Sequence, residues 1–367
     1  ATPEYFGRTC VEMLDYGVRL LGGCCGTTPR HIQALRRALD ERGITEAPKR
    51  PRKRIKPAVR PFVSEPGEGG FLRSLDRTRL PVIVEIDPPA SPDLDNVIEG
   101  ALAVKKAGAS AISLADNPLA RQRVSSICAA GLVRQRAGIQ VIPHFTGRDH
   151  NILGIQSLLL GAHLMDIEAV LAVTGDPIGK EERDQVRGCH SLDSVQLIRL
   201  IDQLNRGHIL SGKTITTATD FSIGAAFNPN APRLKAEVLK LKKKADSGAR
   251  FILTQPVFSA DIARRALEAV SSLDLKIFIG IFPLISSRNA EFIHNEVPGI
   301  SIPAPVRERM GACSDKSSAL ETGLEIAREL IRELERDLEG LYLVSPLNRW
   351  RIPLKLLRDL RKREAEG

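Results

Sequence analysis

From about residue 79 onward, short apolar runs alternate with longer stretches whose apolar residues recur at helical spacing. The runs fall at residues 82–86, 111–115, 141–144, 169–173, 214–218, 251–254, 276–281 and 341–344, and each reads as a strand. Among the intervening helical patterns, residues 232–247 place Leu234, Val238, Leu241 and Ala245 at spacings of four, three and four, which gives one apolar face to set against a sheet. Gly248 follows as the stop residue. Eight strands with helices between them, in about 290 residues, predict a closed α/β architecture, the (β/α)8 TIM barrel. A doubly wound open sheet is the competing arrangement, but no G-x-G-x-x-G follows the first strand.

The first 46 residues have a different pattern. A helix is expected over 5–16, a strand over 18–21, then a cysteine loop, then a helix over 29–42, with Thr28 placed to cap it and Pro29 suited to its first position. Helix, strand and helix are too little to enclose a core, so this part reads as the C-terminal remnant of a larger barrel. Residues 47–78 join the two parts. Their first half holds Lys49, Arg50, Arg52, Lys53, Arg54, Lys56 and Arg60, no acidic residue, and prolines at 48, 51, 57 and 61. Those prolines oppose helix and sheet alike, so the stretch is expected to be an extended linker. The organisation is therefore 1–46, 47–78 and 79–367.

Charge changes the picture only once. The chain carries a net +9, but without those seven linker cations the remainder carries +2, so no nucleic-acid partner is expected. An apolar content of 43% and a charged content of 26% are those of a globular protein. No charge-free apolar run is long enough to span a membrane, and no signal-peptide pattern opens the chain. Six cysteines without repeating spacing fit a reducing compartment, and the expected location is cytoplasmic.

Four polar residues stand at the C-terminal ends of predicted strands: Glu85 in "VIVEIDPP", His144 after the third, Asp176 in "LAVTGDP" and Gln255 in "FILTQPVF". In a barrel those ends form the reaction face, so four on one rim predict a site there.

Two stretches carry resemblances. "GGCCGT" followed by "TPRHI" resembles the C-terminal end of cobalamin-independent homocysteine S-methyltransferase domains. The resemblance implies a zinc site in which Cys24 and Cys25 are two soft thiolate ligands. The third cysteine is expected upstream of Ala1, so the site is incomplete and this chain is not expected to methylate homocysteine. Two ordinary loop cysteines are the alternative.

Over about residues 80–351, the strings "VEIDPP", "IPHFTGRD", "AVTGDP", "LKKKADSGARFILTQPVF" and "GIFPLISSRNAEFIHNEVPGI" resemble the methylenetetrahydrofolate reductase family, in order and spacing. This implies an FAD-containing barrel that reduces 5,10-methylenetetrahydrofolate to 5-methyltetrahydrofolate, with NADH, NADPH or a protein as electron donor, NADH or NADPH being expected, and a homo-oligomeric state. Glu85 then matches the general acid for N10, and its apolar neighbours Val84 and Ile86 suit a raised pKa. Asp176 matches a carboxylate near flavin and pterin, and Gln255 and Asn289 match amides on the folate. For FAD the resemblance carries over His144, Gly175, Asp176, Glu237 and Lys244, and by position Ala115, Thr174 and His190. The last three stand where a threonine, an arginine and a tyrosine are commoner. A folate-binding module without efficient flavin binding is the second reading, and a zinc methyltransferase the third.

Overall fold

In the computed structural model the apolar runs become eight parallel strands hydrogen-bonded in a ring, each followed by helix. Residues 2–18, 20–24, 26–44, 70–178, 189, 192–297 and 299–366 are described. Cys25, His190 and the linker up to residue 69 lie outside them. The chain divides into two units, Ala1–Phe62 and Val63–Gly367.

In the first unit, α1 (Pro3–Glu12) and α2 (Pro29–Glu41) pack through Cys10, Val11 and Leu35. Phe6 meets His31 edge-on, and Arg42 makes a two-pronged ion pair with Asp15 at 2.8 Å. Of the strand expected over 18–21, the described residues 18, 20 and 21 are not in a strand, and Arg19 lies outside the described residues. A strand needs a neighbour to take its N–H and C=O groups, and no second strand is found among this unit's described residues.

The second unit opens with α3 (Gly70–Arg73), inside the stretch read as linker. There follow β1 (Val82–Glu85), α4 (Asp95–Lys106), β2 (Ala111–Leu114), α5 (Ser126–Ala137), β3 (Gln140–Thr146), α6 (Ile152–Leu164), β4 (Ala169–Val173) and α7 (Ser194–Asn205). The ring continues through β5 (Ser222–Phe227), α8 (Leu234–Asp246), β6 (Phe251–Pro256), α9 (Ala260–Val270) and β7 (Lys276–Ile281). It ends with α10 (Ser287–Glu296), α11 (Ala304–Gly311), α12 (Lys316–Leu334), β8 (Leu341–Leu343) and α13 (Arg351–Glu366). β8 pairs with both β7 and β1, which closes the (β/α)8 TIM barrel. The open-sheet alternative is excluded. No described helix is long and apolar enough to cross a membrane.

Seven strands lie where the pattern put them. The fifth does not: residues 214–218, β-branched except for Ala218, are mostly exposed, with one antiparallel bridge between His208 and Thr214, and the strand is Ser222–Phe227. Barrel strands are covered on both faces, which "SIGAAF" tolerates and a run of exposed threonines does not. Gly224 is required there because a Cβ would run into the Phe251 ring.

Ile83, Ala111, Ile142, Leu171, Phe251, Leu253 and Phe278 fill the barrel interior, while Val82, Val84 and Ile86 face the helices. α3 seals the N-terminal end. Its Gly70 and Leu72 amides donate to Asp220 O and Ser222 Oγ, and the fully buried Phe71 ring lies 5.9 Å from Phe251 and 6.5 Å from Phe278.

Candidate active site

Strand alternation decides what the open end presents. In β1, Val82 and Val84 point outward and Ile83 inward, so Glu85 and then Asp87 continue the inner column. Both line a cavity of about 1000 Å³ at the C-terminal ends of the strands. From the predicted set, Ala115, His144, Gly175 and Asp176 line one side of it. Gln255 and Asn289 line the other.

Glu85 receives the hydroxyl hydrogen bond of Tyr342 on Oε2, and its backbone carbonyl accepts from Ser345 Oγ. Burial pushes its carboxyl well above the ordinary glutamate range, and the neighbouring Asp87 charge pushes it the same way. Both effects favour the protonated form of Glu85 over its anion. Burial also raises Asp87, opposed by the Arg123 guanidinium and by the Ala115 N–H.

His144 has a buried Nε2 with no partner among the described residues, and burial lowers its pKa to about 4. The ring is neutral and has a free polar edge. An imidazole whose folded value lies below 6.5 adds stability that is complete above pH 6.5 and is lost as pH falls towards about 4. The melting temperature should drop across that window, and drop less in His144→Gln.

The far wall rests on one cation. Arg148, only 2% exposed, grips Asp149 through Nε at 2.7 Å and Nη2 at 2.6 Å and donates through Nη1 to Asp176 O at 3.1 Å. It also reaches Asn117 O at 3.5 Å. Asp116 accepts from Thr146 N and Oγ1, both at 3.2 Å. Gly175 has φ +82 and packs on Thr146, a conformation that disfavours any side chain. Asp176 accepts the Leu119 N–H at 2.7 Å. That bond holds a turn in which Leu119 has φ 56, and a similar turn above β8 holds Leu347 at φ 51. Both leucines stand on the cavity rim with large exposure (68% and 72%) in a left-handed backbone that costs a bulky residue about 1–2 kcal/mol.

Gln255 sits where the β6–β7 register shifts, between Leu253 and Pro256, and is turned out towards the cavity. Asn289 lies in the first turn of α10, its N–H on Ser286 Oγ and its Oδ1 accepting from Ile285 N. Three predicted FAD residues are placed differently. Thr174 is exposed beyond β4 and is not among the cavity's lining residues. Glu237 on α8 pairs with Lys240 at 3.2 Å. Lys244 passes its Nζ to Ala226 O at 2.8 Å, behind a residue that lines the cavity, and burial lowers its pKa. His190 cannot be placed because it lies outside the described residues.

Sequence reasoning missed Asp87, Tyr342 and Arg148. Asp87 shares Glu85's parity two residues on. Tyr342 is a lone hydroxyl inside the apolar "LYLV", and Arg148 is a charge following an apolar strand; each signal was there to be read. As for metal, Cys24 is exposed, Cys25 is not described, and no cluster of three or more His, Cys, Asp or Glu is found among the described residues.

The family model described as methylenetetrahydrofolate reductase matches residues 72–360, and that of homocysteine S-methyltransferase matches residues 1–39. A "Probable methylenetetrahydrofolate reductase (NADPH)" of Caenorhabditis elegans is 29% identical over 185 residues, 47% of this chain and 25% of that protein. A "5,10-methylenetetrahydrofolate reductase" of Buchnera aphidicola is 23% identical over 177 residues, covering 47% of this chain and 53% of the relative. The Escherichia coli protein of the same name is 22% identical over 247 residues, 65% of this chain and 75% of that one. The chain thus spans a quarter to a half of the first two relatives. With the match running from α3 to α13 through every strand of the barrel, the chain belongs to the methylenetetrahydrofolate reductase family.

Proposed function

We propose that the barrel reduces 5,10-methylenetetrahydrofolate to 5-methyltetrahydrofolate, with FAD bound at the C-terminal rim and NADH or NADPH as reductant. The observation that carries this reading is the buried carboxyl of Glu85, its pKa raised by burial, on the wall of a cavity large enough for ring-shaped ligands. Opening the imidazolidine ring of the substrate requires a proton at N10, and a carboxyl kept neutral by burial can deliver it near neutrality. Tyr342 fixes one oxygen of that carboxyl and leaves the other for the substrate.

The residues present fit a flavin. His144 offers an enclosed nitrogen that lacks a partner among the described residues, and Gly175 lets backbone approach closely. When bound, FAD would supply the hydride. Asp176 would favour positive charge on the folate, and the Gln255 and Asn289 amides could both donate to and accept from a pterin edge. Ala115 adds only a methyl to the wall.

Purified protein should show oxidised-flavin absorbance, bleach anaerobically with NADH or NADPH, and recover colour on adding 5,10-methylenetetrahydrofolate. A colourless protein that does not bind added FAD removes the claim and leaves a folate-binding module.

A further inference from the structure

We propose that Asp87 is the second carboxyl of the acid site: held as an anion beside Arg123, it keeps the shared proton on Glu85. This rests on the reductase reading and assigns Asp87 as a positioning residue, acting through Glu85.

Glu85 ends β1 and Asp87 follows two residues on with the same parity, and both line the same cavity. Asp87 is clamped at its backbone. Its N–H donates to Asn348 Oδ1 at 2.9 Å, and Asn348 Nδ2 donates back to Asp87 O at 2.9 Å. Pro88 and Pro89 follow and stiffen the chain, so the backbone that carries the carboxyl is fixed beside the end of β1. One of its oxygens, Oδ1, is buried without a partner among the described residues, which leaves an acceptor free on a residue that lines the cavity.

Two carboxyls whose charges act on each other in a poorly solvated cavity share one proton rather than ionising together. Their surroundings decide which one keeps it. Asp87 has a cation, Arg123, and the Ala115 N–H, both favouring its anion. Among the described residues no cation is found to act on Glu85. Tyr342 donates to one oxygen, and the charge acting on Glu85 is that of Asp87 itself. The other titratable groups around the cavity are His144, neutral through burial, with Asp116 and Asp176 on the far wall. The proton therefore stays on Glu85, and the Asp87 charge raises the pH at which Glu85 would lose it.

Asp87→Asn removes that charge while keeping size and backbone. The limb at which folate reduction falls with rising pH should move to lower pH by about one unit or more, the coupling expected of such pairs. Above the limb the rate should fall about tenfold, and at lower pH it should recover to near wild type. Glu85→Gln should stay slow at every pH. Infrared difference spectra supply a readout independent of turnover. The protonated-carboxyl band that disappears in Glu85→Gln should titrate at lower pH in Asp87→Asn. If neither the limb nor the band moves, or if Asp87→Asn loses activity equally at all pH values with the band unchanged, the pairing is wrong. If the wild-type protein reduces no folate while the band shifts as expected, the reductase reading fails and the pairing stands.

Discussion

Glu85→Gln should leave flavin and folate bound but slow reduction of methylenetetrahydrofolate by about 10²–10⁴-fold, the usual worth of a positioned general acid. Reduction of the flavin by its nicotinamide donor needs no proton from this residue and should survive, so rapid-mixing measurement of the two half-reactions is the decisive comparison. A near-wild-type rate of folate reduction would make Glu85 structural. Joint loss of both half-reactions would make it a flavin-placing residue. The same substitution carries a stability signature of opposite sign. Glu85's folded pKa lies above its unfolded value, so its favourable contribution is complete at acid pH and is lost as pH rises through the raised value. Glutamine has no proton to lose. The variant should therefore melt higher than the parent, and the gap should widen as pH rises.

Arg148→Met should be the most damaging change to the opposite wall. The guanidinium is buried, joined to Asp149 by two charge-assisted hydrogen bonds, and tied to the loop carbonyls of Asn117 and Asp176. Methionine fills part of the volume but leaves the Asp149 carboxylate, and Asp116 near it, without their cation. Breaking one side of a buried pair costs about 3–5 kcal/mol, to be read from urea unfolding. The turn that lifts Leu119 onto the rim should loosen with it, and flavin affinity should fall. Only if unfolding and flavin binding both match the parent is Arg148 peripheral. Acid dependence gives a further check. Arg148 holds the Asp149 carboxyl below the ordinary aspartate range, so their stabilisation is present above that range and fades as pH falls through the lowered value. The variant should lack that fade.

The barrel was legible because apolar runs buried on both faces have few other readings. Residues 214–218 show where this fails: threonine and isoleucine satisfy the strand pattern, yet only burial tells a barrel strand from an exposed crossing. The segment 18–21 shows a second failure, since a strand depends on a partner elsewhere in the chain. At the site, the strand-end residues came together as read, because strand ends converge in a barrel whatever the loops do. Asp87, Tyr342 and Arg148 were passed over for a common reason. Their roles exist only through what faces them across the ring, β8 against β1 and the third loop against the second and fourth. Thr174 and Glu237 show the converse, since matching positions in a string does not bring a side chain to the cavity.

Phe71 matters for anyone shortening this chain. Read by strand pattern, the reductase part begins near residue 79, and a gene trimmed there would discard α3. Phe251 and Phe278 would then be left uncovered at the floor of the barrel, together with the Ser222 hydroxyl that receives the Leu72 amide. Exposed aromatic edges at an open end favour self-association, so such a trimmed protein should aggregate on expression, whereas one that retains residues 70–78 should not.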